Sequence, residues 1–292
     1  MKRFLLLLAL LGASVYPVHA APVQTIAVVD VGANTSLFNN IVTEVCIVEM
    51  FTCPNKKPFM EGKGAADTGV PNNKTLDHGT QMLSVINKVN PNIGLIPIKI
   101  VTTNSSGTLG LYSNAAVKLA LDWVLINREK YNIVAVSVSQ GKVFSSCSVP
   151  AGTAEVVASL KSNNVPVIAA AGNDGNKTNM FSIACLSDVI SVGATDNPDP
   201  GVSGIAYCKT CAPTIARYSN GNPILYTNGR WYVTQGNGTT KFTVGTSNAT
   251  AALAAWWVLN SKTTYSDTYN FLVSSATTAT SAERTGKYIG LP

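Results

Sequence analysis

Histidine is nearly absent from this chain: His19 and His78 are the only two, which rules out any site built on several imidazoles. Charge is scarce as well. Asp, Glu, Lys and Arg make up 12% of the residues, and the basic ones do not gather into a stripe, so a nucleic-acid partner is not expected. Long apolar runs are missing too. A membrane span needs about 20 residues, and each apolar stretch is cut short by Gly, Pro or a charge. Internal repeats, low-complexity tracts and linkers are also lacking, which leaves one large domain.

What is present begins with a leader. Lys2-Arg3, the apolar block 4–11 and the small residues Val18 and Ala20 have the layout of a secretory signal peptide cleaved after Ala20. Residues 21–292 then form the mature chain, expected to be exported, secreted or periplasmic. His19 leaves with the leader, so any imidazole chemistry must use His78. The leader also removes Lys2 and Arg3, leaving 19 basic against 15 acidic residues, a net +4.

Six cysteines, Cys46, Cys53, Cys147, Cys185, Cys208 and Cys211, lie in the mature chain. An even count in an exported protein reads as disulfides, and six cysteines allow 15 connectivities. Nearness favours Cys46–Cys53 and Cys208–Cys211, leaving Cys147–Cys185. The Cys208-Lys209-Thr210-Cys211 spacing could instead be half a zinc site or a redox pair, but no second such pair completes a tetrahedral set.

Along the chain, short β-branched apolar runs alternate with helical periodicity. Residues 25–31, 96–101, 133–138, 165–171 and 189–192 read as strands buried on both faces. Helices are expected from His78, over 112–128 and over 154–160. This alternation predicts an α/β fold with a mostly parallel central sheet covered by helices on both faces, a three-layer arrangement. Residues 35–75 show no clear pattern and read as a loop-rich insertion. Residues 200–244 read as surface hairpins, because Asn-Gly pairs at 220–221, 228–229 and 237–238 favour tight turns. A strand-like Phe242-Thr243-Val244 runs into the apolar stretch 251–259, which places Ser247 at a strand-to-helix junction. There a serine is either an ordinary helix N-cap or a nucleophile whose oxyanion meets outward-pointing amides.

Asp30, His78, Asn173 and Ser247 each stand at a strand end or a helix start, where the ligand crevice of an open parallel sheet lies. Taken singly, each has an ordinary structural reading. Together they supply an acid, a base, an oxyanion donor and a nucleophile, in the chain order of one of the known serine triads. Asp77, next to His78, is a poor partner for it, since adjacent helical residues diverge.

The local words carry a resemblance. Ala27-Val28-Val29-Asp30-Val31-Gly32, His78-Gly79-Thr80, Ala170-Ala171-Gly172-Asn173-Asp174-Gly175 and Gly245-Thr246-Ser247-Asn248-Ala249-Thr250 resemble the aspartate, histidine, oxyanion and serine motifs of the subtilisin-like serine proteases, the subtilases. The resemblance covers nearly the whole mature chain. It implies Asp30, His78 and Ser247 as the catalytic triad, with the Asn173 amide and the Ser247 N–H holding the oxyanion. Gly110, Ser139, Gln140, Gly141, Ala171 and Gly172 would line the substrate, and a Cys147–Cys185 bridge would brace that pocket. The implied activity is that of an exported, monomeric serine endopeptidase acting on polypeptide, with no cofactor required for the chemistry. Structural calcium is frequent in the family, and no ligand set for it can be assigned here.

The chain departs from the family at several points. Val31 replaces a Ser or Thr, Gln81-Met82-Leu83-Ser84 lacks the usual glycine, and Asn248 and Ala251 replace a Met and a Pro. Nine residues separate Ala20 from Asp30, so no N-terminal pro-domain is recognisable. The alternative class is a catalytically silent fold used for binding or adhesion. The order of the triad and the lack of a Gly-x-Ser-x-Gly elbow around Ser247 speak against a lipase or esterase. Six Asn-x-Ser/Thr sequons, at Asn34, Asn73, Asn104, Asn176, Asn237 and Asn248, read as part of an Asn-rich surface.

Overall fold

In the computed structural model, which describes residues 23–49, 52–68, 76–101, 113–196 and 212–291, the first strand sets the frame. β1 (Thr25–Asp30) is buried along its whole length and runs parallel between β4 (Gly94–Lys99) and β5 (Ile133–Val138). Side chains alternate across a strand, and β1 divides accordingly. Ile26 and Val28 face an apolar cluster with α1 (His78–Val89), α4 (Thr246–Leu259) and Leu272 of α5 (Tyr265–Ser275). Ala27 and Val29 face a second cluster with α2 (Asn114–Asn127) and α3 (Thr153–Ser162). The sheet is thus a middle layer with helices on each face.

Beyond β5 the sheet continues through β6 (Val167–Ala170), β7 (Ile190–Thr195), β8 (Leu225–Asn228), β12 (Thr285–Tyr288) and β11 (Thr277–Thr280). On the other side it ends with β4, β2 (Val45–Ile47) and β3 (Phe59–Glu61). Only the two outermost pairs, β2 with β3 and β11 with β12, are antiparallel. The carboxyl ends of β1, β5 and β6 therefore open on one edge of the sheet, as the crevice rule for parallel sheets requires.

Three sequence expectations are corrected. Residues 35–75 are not wholly loop: β2 and β3 extend the sheet, with Val45 beside Ile98 of β4. Three-residue strands are too short to show a period, and the Cys46–Cys53 disulfide closes the loop between them. The stretch around 225 is not a surface hairpin but β8, wholly buried and parallel to β7. The Asn228-Gly229 turn leads out of the main sheet into β9 (Arg230–Thr234), and the one hairpin among the described residues of this region pairs β9 with β10 (Thr240–Val244) around Gly238, whose φ is +81°. Finally, the strand expected over 96–101 begins earlier, at Gly94, so Pro97 lies inside it rather than near its start. Leu95 N donates to Asn40 O, so Pro97, two residues on, turns its donorless nitrogen to the same side. There it falls between the Leu95–Ile41 bridge and the Ile98–Val45 pair, where no ladder bond is lost.

The leader, Gly110, Cys208 and Cys211 lie outside the described residues. No helix among the described residues is long and apolar enough to cross a membrane.

Candidate active site

Asp30 closes β1 and His78 opens α1. The two meet because glycine stands at each point of close approach. Gly79 faces the turn after β1, and a Cβ on it would drive into the Gly32 carbonyl and stand 3.4 Å from the Asp30 Cβ. Gly32 itself has φ +98°, and a Cβ there would press on Ala66 O at 2.5 Å. Thr80 completes the seam, its Oγ1 accepting from Asn34 N at 2.9 Å. With the helix start held against the strand end, His78 Nδ1 lies 2.8 and 2.9 Å from the two Asp30 oxygens.

Asp30 is 1% exposed. Its Oδ1 also accepts from Val31 N at 2.7 Å and Gln140 Nε2 at 3.1 Å. Burial by itself would lower the His78 pKa, but the charge of Asp30 and its hydrogen bond outweigh that and hold the imidazole above its ordinary 6.5. A carboxylate on Nδ1 fixes the tautomer with its proton there, which leaves Nε2 as the acceptor. Asp77 turns the other way, its carboxylate lying against Gly236, as the divergence of neighbouring helical side chains requires.

Ser247 is the second residue of α4, and Gly245 is the N-cap; the N-cap reading of Ser247 is therefore corrected. Thr246, fully buried, ties the helix start to the turn after β6. Its N and Oγ1 donate to Asn173 Oδ1 at 2.8 and 3.0 Å, and its Oγ1 accepts from Gly172 N at 3.2 Å. With Oδ1 occupied, the remaining donor of the Asn173 side chain is Nδ2. A Cβ built on Gly245 would stand 3.6 Å from that Nδ2 and 3.8 Å from Ser247 N. Both donors thus flank one small space that Gly245 leaves open, at the N-terminus of a 14-residue helix, where negative charge is stabilised.

The residues expected along the substrate divide into groups. Gly141 and Gly172 both lie against the Phe181 side chain: a Cβ on Gly141 would meet Phe181 Cβ at 2.6 Å, and one on Gly172 would meet Cδ1 at 2.6 Å. Phe181 is held there by Phe181 N to Ala171 O and Ser182 N to Lys142 O, at 2.8 and 2.9 Å. It was missed in the sequence because nothing local marks it; only the fold brings it under both glycines. Ser139 and Ala171 are buried. Gln140 turns its amide inward to Asp30 rather than outward. Downstream of these segments, Cys147 and Cys185 are disulfide-bonded, with Cα atoms 5.6 Å apart.

Asn248, next to Ser247, is 2% exposed, and its amide donates to Gly229 O and Thr243 Oγ1 at 3.1 and 3.0 Å. It is a buried structural residue and not part of a surface.

A family model described as the subtilase family matches residues 24–287. An extracellular serine proteinase from a Thermus species is 32% identical over 128 residues, 42% of this chain and 28% of that protein. A subtilisin-like protease 2 from Pseudogymnoascus destructans is 30% identical over 136 residues, 45% of this chain and 31% of that protein. The matched stretch thus spans under a third of the length of these relatives. Among solved structures, a cold-adapted subtilisin-like serine proteinase superposes with a TM-score of 0.64 at 18% identity, covering 92% of this chain and 89% of that one. Sphericase gives 0.63 at 19%, covering 86% and 83%. The prenylagaramide maturation protease PagA gives 0.61 at 21%, covering 88% and 84%. These structural likenesses establish the fold.

Proposed function

Since the chain belongs to the subtilase family, we propose that it is an exported serine endopeptidase that hydrolyses polypeptide through an acyl-enzyme. In this reading residues 1–20 are a leader and the peptidase domain occupies the remainder. His78 Nε2 takes the proton of Ser247 Oγ as the hydroxyl attacks the scissile carbonyl, and then returns it to the leaving amine. Asp30, buried and bonded to Nδ1, holds the ring and stabilises the imidazolium that forms. The carbonyl oxygen, now negative, is received by Asn173 Nδ2 and the Ser247 N–H. Water then repeats the cycle on the acyl-enzyme.

The observation that carries this reading is the convergence of Asn173 Nδ2 and Ser247 N on the space above Gly245. A pair of donors beside a serine, unused among the described residues, serves a developing oxyanion, whereas a silent binding fold has no need for it. The test is labelling by a fluorophosphonate serine probe. Wild-type protein is expected to label while Ser247→Ala and His78→Ala do not. Folded wild-type protein that stays unlabelled would instead support a catalytically silent module.

A further inference from the structure

We propose that Gln140 is a positioning residue for the Asp30–His78 pair rather than part of the substrate wall. This rests on the serine-peptidase reading above.

Asp30 is an acceptor-only group with about four lone-pair sites, and at 1% exposure water does not supply its donors. Among the described residues, three groups donate to its carboxylate: Val31 N, His78 Nδ1 and Gln140 Nε2. The side chain of Val31 is apolar and offers nothing. Gln140 is therefore, apart from the histidine, the one side-chain donor to the carboxylate among the described residues.

The orientation of its amide follows from the same contacts. Turned over, Gln140 would set its Oε1 against a carboxylate oxygen. Its Nε2 also lies 3.5 Å from His78 Nδ1. With the proton on Nδ1, this is an approach of two donors that aim at the same Asp30 oxygen.

Among the described residues, the other charged groups on or next to α1, β1, β4 and β5 are directed elsewhere, Lys88 of α1 sending its Nζ to Tyr232 O. Asp77 lies against Gly236. Lys99, opposite Asp30 in the β1–β4 register, sends Nζ to Asp67 O at 2.5 Å. Gln140 is therefore the neighbour set to tune how strongly Asp30 holds the imidazolium. Hydrogen bonds to an ionised acceptor are about twice as strong as neutral ones, and each one withdraws charge from the oxygen that faces His78. Removing the Gln140 donor makes Asp30 a stronger partner for the charged ring, so the His78 pKa rises, and it also frees the carboxylate to rotate.

The experiment uses mature wild-type protein, Gln140→Leu and Gln140→Glu. His78 is the sole histidine after residue 20, so its NMR titration is read directly and without any assay of activity. In Q140L the His78 pKa is expected to rise by about half a pH unit. Its kcat is expected to fall roughly tenfold with KM changed less than about twofold. In Q140E, which keeps the shape but replaces the donor with a second carboxylate, the His78 pKa is expected to rise further.

An unchanged His78 titration in a folded Q140L or Q140E overturns the proposal. A rise in KM with kcat intact also overturns it and returns Gln140 to the substrate wall. If wild-type protein does not label with the fluorophosphonate, the peptidase reading fails, while the titration still decides whether Gln140 acts on the pair.

Discussion

Glycine marks the points in this site where two backbones or a backbone and a donor pair come close, and the positions differ in what a methyl group would damage. At Gly79 the added carbon meets the Gly32 carbonyl, which is backbone and does not yield. Gly79→Ala must push α1 off β1 and lengthen the His78–Asp30 bond. A stability loss of about 1–3 kcal/mol is expected, together with a fall in kcat/KM of about 10² or more from misplacement alone, checked by thermal melts and steady-state kinetics. At Gly245 the added carbon meets Asn173 Nδ2 at 3.6 Å, ordinary contact distance, and the backbone is extended at φ 164°. Gly245→Ala is therefore expected to fold with an unchanged melting temperature yet to label far more slowly with the fluorophosphonate, because the methyl group occupies the space between the two donors. The pH dependence follows from His78. In the proposed mechanism the base works neutral, and the His78 pKa is raised by Asp30, so kcat/KM is expected to climb with pH through an apparent pKa above 6.5. Since the folded value exceeds the unfolded one, the stabilisation from this pair is complete below the unfolded pKa and is lost as pH rises through the folded one. Chemical denaturation at a series of pH values measures that loss.

At the scale of elements, the strands of the central sheet were legible because each is a run of β-branched apolar residues bounded by turns. Residues 133–138 coincide with β5, and 25–31 overshoot β1 by one residue. The candidate site was legible for a related reason: Asp30, His78 and Asn173 fall where strands end and helices begin, and short polar words stand out there without needing a period. Other features had no local signal. Gln140 points at Asp30 only because β5 lies beside β1, and Phe181 reaches Gly172 only through the turn that follows β6. α4 was read correctly as helix, but its start was placed too late, because Thr246, Ser247, Asn248 and Thr250 are polar and yet buried. This helix is closed in on nearly all sides. Ala249, Ala251, Ala252, Ala254 and Ala255 are fully buried, and their small size lets α4 pack on α1 and against β5 to β8. Ala252→Leu would force extra methylenes into that contact. An overpacking cost of about 1–3 kcal/mol is expected, with a slower fluorophosphonate reaction as the helix start moves away from Asn173, measured by denaturant titration and labelling rate on the same sample.

For the molecule as a whole, the candidate site draws on residues from 30 to 247, held at strand ends and helix starts, so nearly the entire domain must fold before that arrangement exists. Such long-range pairing must meet the entropy of closing large loops, and the disulfides act on that term. In the chain-entropy picture the stabilisation grows with the logarithm of the loop. The Cys46–Cys53 bond closes a separation of 7 residues and the Cys147–Cys185 bond one of 38, corresponding to about 2 and about 4 kcal/mol. The two bonds also differ in place. Cys46–Cys53 sits at the β2–β3 edge of the sheet, whereas Cys147–Cys185 joins the segment after Gly141 to the segment after Phe181. Replacing Cys147 and Cys185 by Ser is thus expected to cost more stability than replacing Cys46 and Cys53. It should also raise KM for peptide substrates, because the segments that hold Phe181 against Gly141 and Gly172 lose their tie. The Cys46 and Cys53 double variant should leave KM near the wild-type value. Denaturant midpoints and KM measured on both pairs decide the matter: equal losses in the two, or a KM change confined to the Cys46–Cys53 pair, would show that the longer bridge does not brace the pocket.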